Sequence, residues 1–193
     1  MKFVFVRHGE GEHTKYLPSS LQVSHPSLTE EGENQATLLQ HAVSLRETDI
    51  LIASPTLRTL QTATIWSAKV ACQKIVHPYV SPRIFPYRDG ANTLPCDRII
   101  DQEMIKRIFP HFLIEKSTSK PLWEDGINTI SENDFKQVVD EFLLWCYKLG
   151  AKKVCIVSHD GTITAYRQHV EKVVLTRADF LKETGIYEID VSL

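Results

Sequence analysis

Three short stretches of this sequence carry side chains that could do chemistry together: Arg7-His8-Gly9-Glu10, Ser54-Pro55 followed by Arg58, and Ser158-His159-Asp160-Gly161. An imidazole can bond an oxygen or attack an electrophile, and a guanidinium offers a fork of donors matched to an oxyanion. Two histidines and two arginines at one rim would suit a dianionic phosphoryl group. The guanidiniums and one ring would hold its oxygens while the other ring attacks phosphorus. Taken singly, each stretch is weak. An Arg-His pair is most often solvated, Arg58 alone would be an ordinary helical surface residue, and His159-Asp160 alone could simply start a helix. What joins them is that each follows directly on a predicted strand.

Phe3, Val4, Phe5 and Val6 form a continuous β-favouring run within Lys2–Val6, the pattern of a strand covered on both faces. Ile50–Ala53 and Val154–Val157 read the same way, Lys74–Val80 more weakly, and Gly185–Val191 as a final strand. Between them lie helical signals. Thr29 is an N-cap before an acidic first turn, with Ala36, Leu39 and Val43 at helical spacing and only Gly32 out of place. Pro55 can occupy the first turn of a helix over Thr56–Lys69. Further helices are expected over Ile99–Phe109, from Ser131 to about Leu149-Gly150, and after Gly161; Ser81–Asp97 and most of Leu113–Thr129 read as irregular. Strands alternating with helices predict an α/β fold, a three-layer α/β/α sandwich around a mostly parallel sheet. In such sheets ligands collect beyond the carboxyl ends of the strands, where all three stretches fall.

The 193 residues suit one domain, with no repeat or linker inside it. Twenty-two Lys+Arg against twenty-four Asp+Glu give a net charge of −2, which argues against nucleic acid or an anionic membrane as partner. Cys72, Cys96, Cys146 and Cys155 form no C-x-x-C pair and are expected to be reduced and interior. No apolar run approaches the ~18 residues of a membrane span, and the N-terminal run is too short for a signal-peptide core. A cytoplasmic location is the default expectation. Oligomeric state is not legible.

These blocks resemble those of the histidine phosphatase superfamily, in particular its smaller, phosphoglycerate mutase-like branch. Arg7-His8-Gly9-Glu10 is similar to the family's R-H-G-[EQ] signature after the first strand. Leu28-Thr29-x-x-Gly32-x-x-Gln35-Ala36 resembles its first-helix motif, Ser54-Pro55-x-x-Arg58-x-x-Gln61-Thr62-Ala63 its second block, and Ser158-His159-x-Gly161 its last. Met1–Val76 and Lys152–Tyr166 match well and Pro78–Leu149 poorly, so a divergent specificity region is expected at about 81–130. The resemblance implies the phosphoglycerate mutase-like fold and a nucleophilic His8 that becomes phosphorylated. It further implies phosphoryl-oxygen contacts from Arg7, Arg58 and His159, and a phosphate contact from Thr14, where relatives carry Asn or Thr. It calls for no metal and no cofactor, and for a phosphorylated small-molecule substrate. An attacking imidazole must be neutral, which nearby guanidiniums favour, and its other ring nitrogen needs an acceptor, for which a backbone carbonyl would serve.

The chain departs from the family at the general acid. Relatives of the smaller branch place a Glu shortly after the third strand, where this chain reads Val80-Ser81-Pro82-Arg83-Ile84-Phe85. The substitutes are Asp160, as in the His-Asp pair of the larger branch, or Asp97 or Asp89 from the following loop. Asp160 is narrowly preferred, and any of them needs burial to hold a proton near neutrality. Arg83, Arg88 and Arg98 flank that loop and could meet an acidic substrate, although solvated charges explain them equally well. His13 is near enough to His8 to line the pocket mouth. A phosphomonoester hydrolase is the leading expectation, since mutase relatives are generally longer. The alternatives are a mutase-type phosphotransferase, a metal-dependent phosphohydrolase built on the His159-Asp160 doublet, and a non-catalytic phosphate-binding module.

Overall fold

Side-chain alternation along each strand divides the core in two. Phe3, Phe5, Ile52, Val154 and Ile156 face one side, and Val4, Val6, Leu51, Ala53, Cys155 and Val157 face the other, every one of them buried. A sheet apolar on both faces must be covered on both, and the computed structural model, which describes residues 1–191, has helices on each.

Six strands, Lys2–Arg7 (β1), Ile50–Ala53 (β2), Gln73–Val76 (β3), Leu113–Ile114 (β4), Lys153–Ser158 (β5) and Ile186–Asp190 (β6), form one sheet in the order β4-β3-β2-β5-β1-β6. All neighbours are parallel except β6, which runs antiparallel to β1 at the edge. Glu30–Ala42 (α1), Leu57–Trp66 (α2) and Gln102–Ile108 (α3) supply Leu39, Leu60, Trp66 and Ile105 to one core. Lys120–Asp125 (α4) adds Trp123 to that core. Glu132–Lys148 (α5) and Asp160–Glu171 (α6) supply Phe135, Phe142, Ile163 and Tyr166 to the other. This is the three-layer α/β/α sandwich.

Helix starts follow local chemistry. Thr29 Oγ1 accepts from Gly32 N at 3.0 Å, Asp101 Oδ1 from Met104 N at 2.8 Å and Ser131 Oγ from Asp134 N at 3.1 Å. Gly32, out of place in a helix by sequence alone, has a tertiary cause. A Cβ there would lie 2.1 Å from Glu10 O, and one on Gly9 would lie 2.4 Å from Gly32 O, so the loop after β1 rides directly on the first turn of α1.

Several boundaries differ from the sequence reading. Pro55 precedes α2 and does not enter its first turn, because Thr56 takes extended angles as the N-cap. The third strand ends at Val76, where His77 caps a 3-10 turn over Pro78–Val80. The helix predicted from Ile99 begins at Gln102, since Asp101 caps it. Leu113–Thr129, expected to be mostly irregular, contains the two-residue edge strand β4 and the short α4. Among the described residues no helix is long and apolar enough to cross a membrane. The four cysteines are free and buried.

Register sets the site. Arg7 of β1 pairs with Ser158 of β5, and Ala53 of β2 pairs with Val157, so three adjacent strands end side by side at their carboxyl ends. His8, Ser54 and His159 are the next residues along each.

Candidate active site

His8 lies one residue beyond β1, its backbone N–H bonded to Ser158 O at 3.0 Å. Its Nδ1–H donates to Gly9 O at 2.7 Å, which leaves the lone pair on Nε2 and fixes the tautomer. Arg58, one residue into α2, donates from Nε to that Nε2 at 3.2 Å. The same guanidinium donates from Nη2 to His159 Nδ1 at 3.2 Å, so His159 carries its proton on Nε2 and donates it to Ser54 Oγ at 2.8 Å. The rings of His8 and His159 are 5.2 Å apart. Residues that are 101 and 50 positions from Arg58 or its partners thus meet around one side chain. His8, Arg58 and His159 expose only 3%, 1% and 4% of their surface.

Burial, reinforced by Arg58, pushes His8 and His159 well below the usual imidazole range, and Arg7 and His13 act in the same direction. Both rings are therefore neutral at physiological pH. His13 joins the cluster with its ring 5.6 Å from His8 and is pushed down to about 3, mainly by burial and then by Arg58 and Arg7. Its Nδ1, and Nε of Arg7, are buried without a hydrogen-bond partner. A Cβ on Gly11 would lie 2.7 Å from His13 Nδ1, so the glycine makes room for this third ring.

Arg58 also donates from Nη1 to Cys96 O at 2.7 Å and from Nη2 to Asp97 Oδ1 at 3.0 Å. Burial lowers Arg58 while Asp97 opposes that shift; burial also raises the Asp97 carboxyl against the pull of Arg58. Asp160 has both oxygens engaged, Oδ1 accepting from Gly161 N at 2.6 Å and Oδ2 lying 3.3 Å from Arg7 Nη2. Arg7 is also gripped by Leu181 O at 2.7 Å and Glu183 Oε1 at 3.1 Å. That clamp was invisible in the sequence, because the segment after α6 has no periodicity to mark it. Ser54, which orients His159, stands in the sequence only as one position of the second motif, with nothing local to mark that role.

Two candidate residues stand apart. Thr14 closes a short 3-10 turn with its hydroxyl bonded to Gly11 O at 2.9 Å, and has no bond to the cluster. Asp89 is exposed, its Oδ1 accepting from Tyr87 Oη at 3.2 Å. Arg83 is no solvated charge. It is buried, donates to Ile127 O and Ile130 O at 3.2 and 3.0 Å, pairs with Glu132 at 3.1 Å, and lies 4.1 Å over the Phe135 ring. It ties the divergent segments together, helped by Ser81 Oγ accepting from Ile127 N at 3.0 Å.

Comparison with known proteins bears on this geometry. The profile of the histidine phosphatase superfamily (branch 1) matches residues 3–83, the stretch that carries Arg7, His8, Ser54 and Arg58. Over that stretch the chain is similar to the histidine phosphatase superfamily. A phosphoglycerate mutase-like protein of Arabidopsis thaliana is 25% identical, the match covering 79% of this chain and 65% of that protein. Two solved structures share the histidine phosphatase fold. One is a phosphoserine phosphatase from Entamoeba histolytica with 3-phosphoglyceric acid (TM-score 0.59, 19% identity, 97% of this chain and 89% of that one). The other is the alpha-ribazole phosphatase from Shigella flexneri (TM-score 0.59, 16% identity, 100% and 91%).

Proposed function

We propose that this protein hydrolyses phosphomonoesters of small molecules through a phosphohistidine on His8. The observation that carries the reading is the Arg58 guanidinium between the neutral rings of His8 and His159, at 3.2 Å from each. A phosphoryl group entering there would draw the Arg58 donors to its oxygens and release the Nε2 lone pair for attack. Arg7, whose buried Nε has no hydrogen-bond partner among the described residues, supplies a further donor, so charge on the transferring group meets preorganised positive ends.

The His8 Nε2–phosphorus bond forms as the ester oxygen leaves, and that oxygen takes a proton from a carboxylic acid. Asp97 is favoured for this role. One of its oxygens accepts from Arg58, the other has no side-chain or backbone partner among the described residues, and burial holds its proton to higher pH. Asp160 is the lesser candidate, because a proton on either oxygen would face an existing donor. Water then attacks phosphorus, gives a proton to the Asp97 carboxylate, and releases inorganic phosphate and free His8.

The test is rapid quenching with a labelled phosphomonoester. Acid-labile, base-stable label should appear on His8 and vanish in His8→Ala, while vanadate binding partly survives that change. Turnover unaffected by His8→Ala would overturn the reading. The Arabidopsis relative is named for a mutase, so 3-phosphoglycerate with trace 2,3-bisphosphoglycerate should also be assayed. Interconversion there would point to phosphotransfer instead of hydrolysis.

A further inference from the structure

Beside the histidine cluster, with Asp97 and Asp160 in its lining, is a cavity of about 350 Å³. Its other walls come from the segments that match the family least and from the turn after α6. Phe85 and Phe180 lie there with ring centroids 6.1 Å apart, giving the cavity an apolar side. The charges around it sort into pairs. Asp97 is taken by Arg58, Asp160 by Arg7, and Arg83 by Glu132. Two lining cations remain, Arg88 from the long loop and Arg177 from a 3-10 turn, both exposed and without an ion pair among the described residues. The acidic groups nearest the chemistry are thus neutralised, whereas the uncompensated charge of the lining is positive.

Resting on the phosphohydrolase reading, we propose that this cavity receives the leaving group, and that the leaving group combines an apolar, ring-sized body with an anionic group of its own, held by Arg88 and Arg177. The volume lies at the small end of ligand sites, about 300–1,000 Å³, which suits one ring and its substituent and is too small for a peptide segment. Phe85 and Phe180 would pack on the body, and the free guanidiniums would take a carboxylate or a second phosphate through forked hydrogen bonds. Both arginines are solvent-accessible, so screening limits each contribution, and the pair together should be worth on the order of tenfold in kcat/KM.

The experiment compares phenyl phosphate, 4-carboxyphenyl phosphate and 1,4-phenylene bisphosphate on the wild type and on Arg88→Gln/Arg177→Gln. The expected result is a roughly tenfold higher kcat/KM for one or both anionic esters, with the ratio to phenyl phosphate falling toward one in the double variant. The two anionic esters distinguish a carboxylate from a phosphate. Equal values for all three on the wild type, or a preference that the double variant retains, would overturn the proposal and leave the phosphohydrolase reading intact. Turnover of none of them would instead count against hydrolysis. The cavity would then be judged by calorimetry with benzylphosphonate and 4-carboxybenzylphosphonate, where tighter binding of the second, lost in the double variant, supports it and equal or absent binding overturns it.

Discussion

Acidification from pH 7.5 to 5.5 should destabilise this fold through its site, and the size of the effect follows from the burial of its imidazoles. His8, His13 and His159 all have folded pKa values below the ordinary 6.5, about 3 for His13. Between the folded and unfolded values the unfolded chain binds more protons, so stability rises with pH and is lost as pH falls through about 6.5. At pH 5.5 each ring kept neutral by folding costs about 1.4 kcal/mol. Three such rings cost about 3–4 kcal/mol, allowing for the partial exposure of His13, against a typical total of ~5–15 kcal/mol. At roughly 2–4 °C per kcal/mol for a chain of this length, Tm should fall by about 6–16 °C. His77, buried against Phe142 and Trp145 and also pushed down to about 3, adds a similar amount from outside the histidine cluster and serves as an internal comparison. The assay is thermal and urea unfolding across this range for the wild type, His8→Gln and His77→Gln. Carboxylate titration is common to all three proteins and cancels in the differences. Each substitution should flatten the slope of stability against pH by about 1 kcal/mol per pH unit near pH 5.5, and vanadate should raise Tm in the wild type and in His77→Gln. A slope in His8→Gln equal to that of the wild type would refute the claim that His8 is held neutral by its surroundings.

Asp97→Asn should lower kcat by about 10²–10⁴-fold on alkyl phosphates and far less on 4-nitrophenyl phosphate, whose leaving group needs no proton. Because burial raises Asp97 and lowers His8, the wild-type rate should persist into acid and decline as pH rises through the Asp97 value; Asp97→Asn should lose that decline in a pH–rate profile. Gly161→Ala places a Cβ 2.3 Å from Arg83 O, so it should cost about 2 kcal/mol or more in urea unfolding and reduce activity by moving the loop that carries Asp97. Arg7→Lys should weaken phosphate binding measured by calorimetry, since one ammonium cannot serve Leu181 O, Glu183 and a phosphoryl oxygen together.

Strand runs, helix caps and the three chemical motifs were legible because each depends on residues near one another in the chain. Continuous apolar runs mark strands buried on both faces, and Thr29 or Ser131 caps a helix within one turn of itself. The order β4-β3-β2-β5-β1-β6 was not legible, nor was the short β4, because two residues carry no period and pairing is a long-range property. The likeness of the motifs to a family pointed to Arg7, His8, Arg58 and His159. Only the register of β1 and β2 against β5 brings His8, Arg58 and His159 within hydrogen-bond reach, because the distance between strand ends depends on sheet pairing and not on sequence separation. The choice between Asp160 and Asp97 belongs to tertiary structure for the same reason. Proton affinity depends on burial and on neighbouring charges, and both arise when distant segments pack: Arg7 and a helix N–H take Asp160, while Arg58 engages one oxygen of Asp97 and leaves the other without a partner among the described residues.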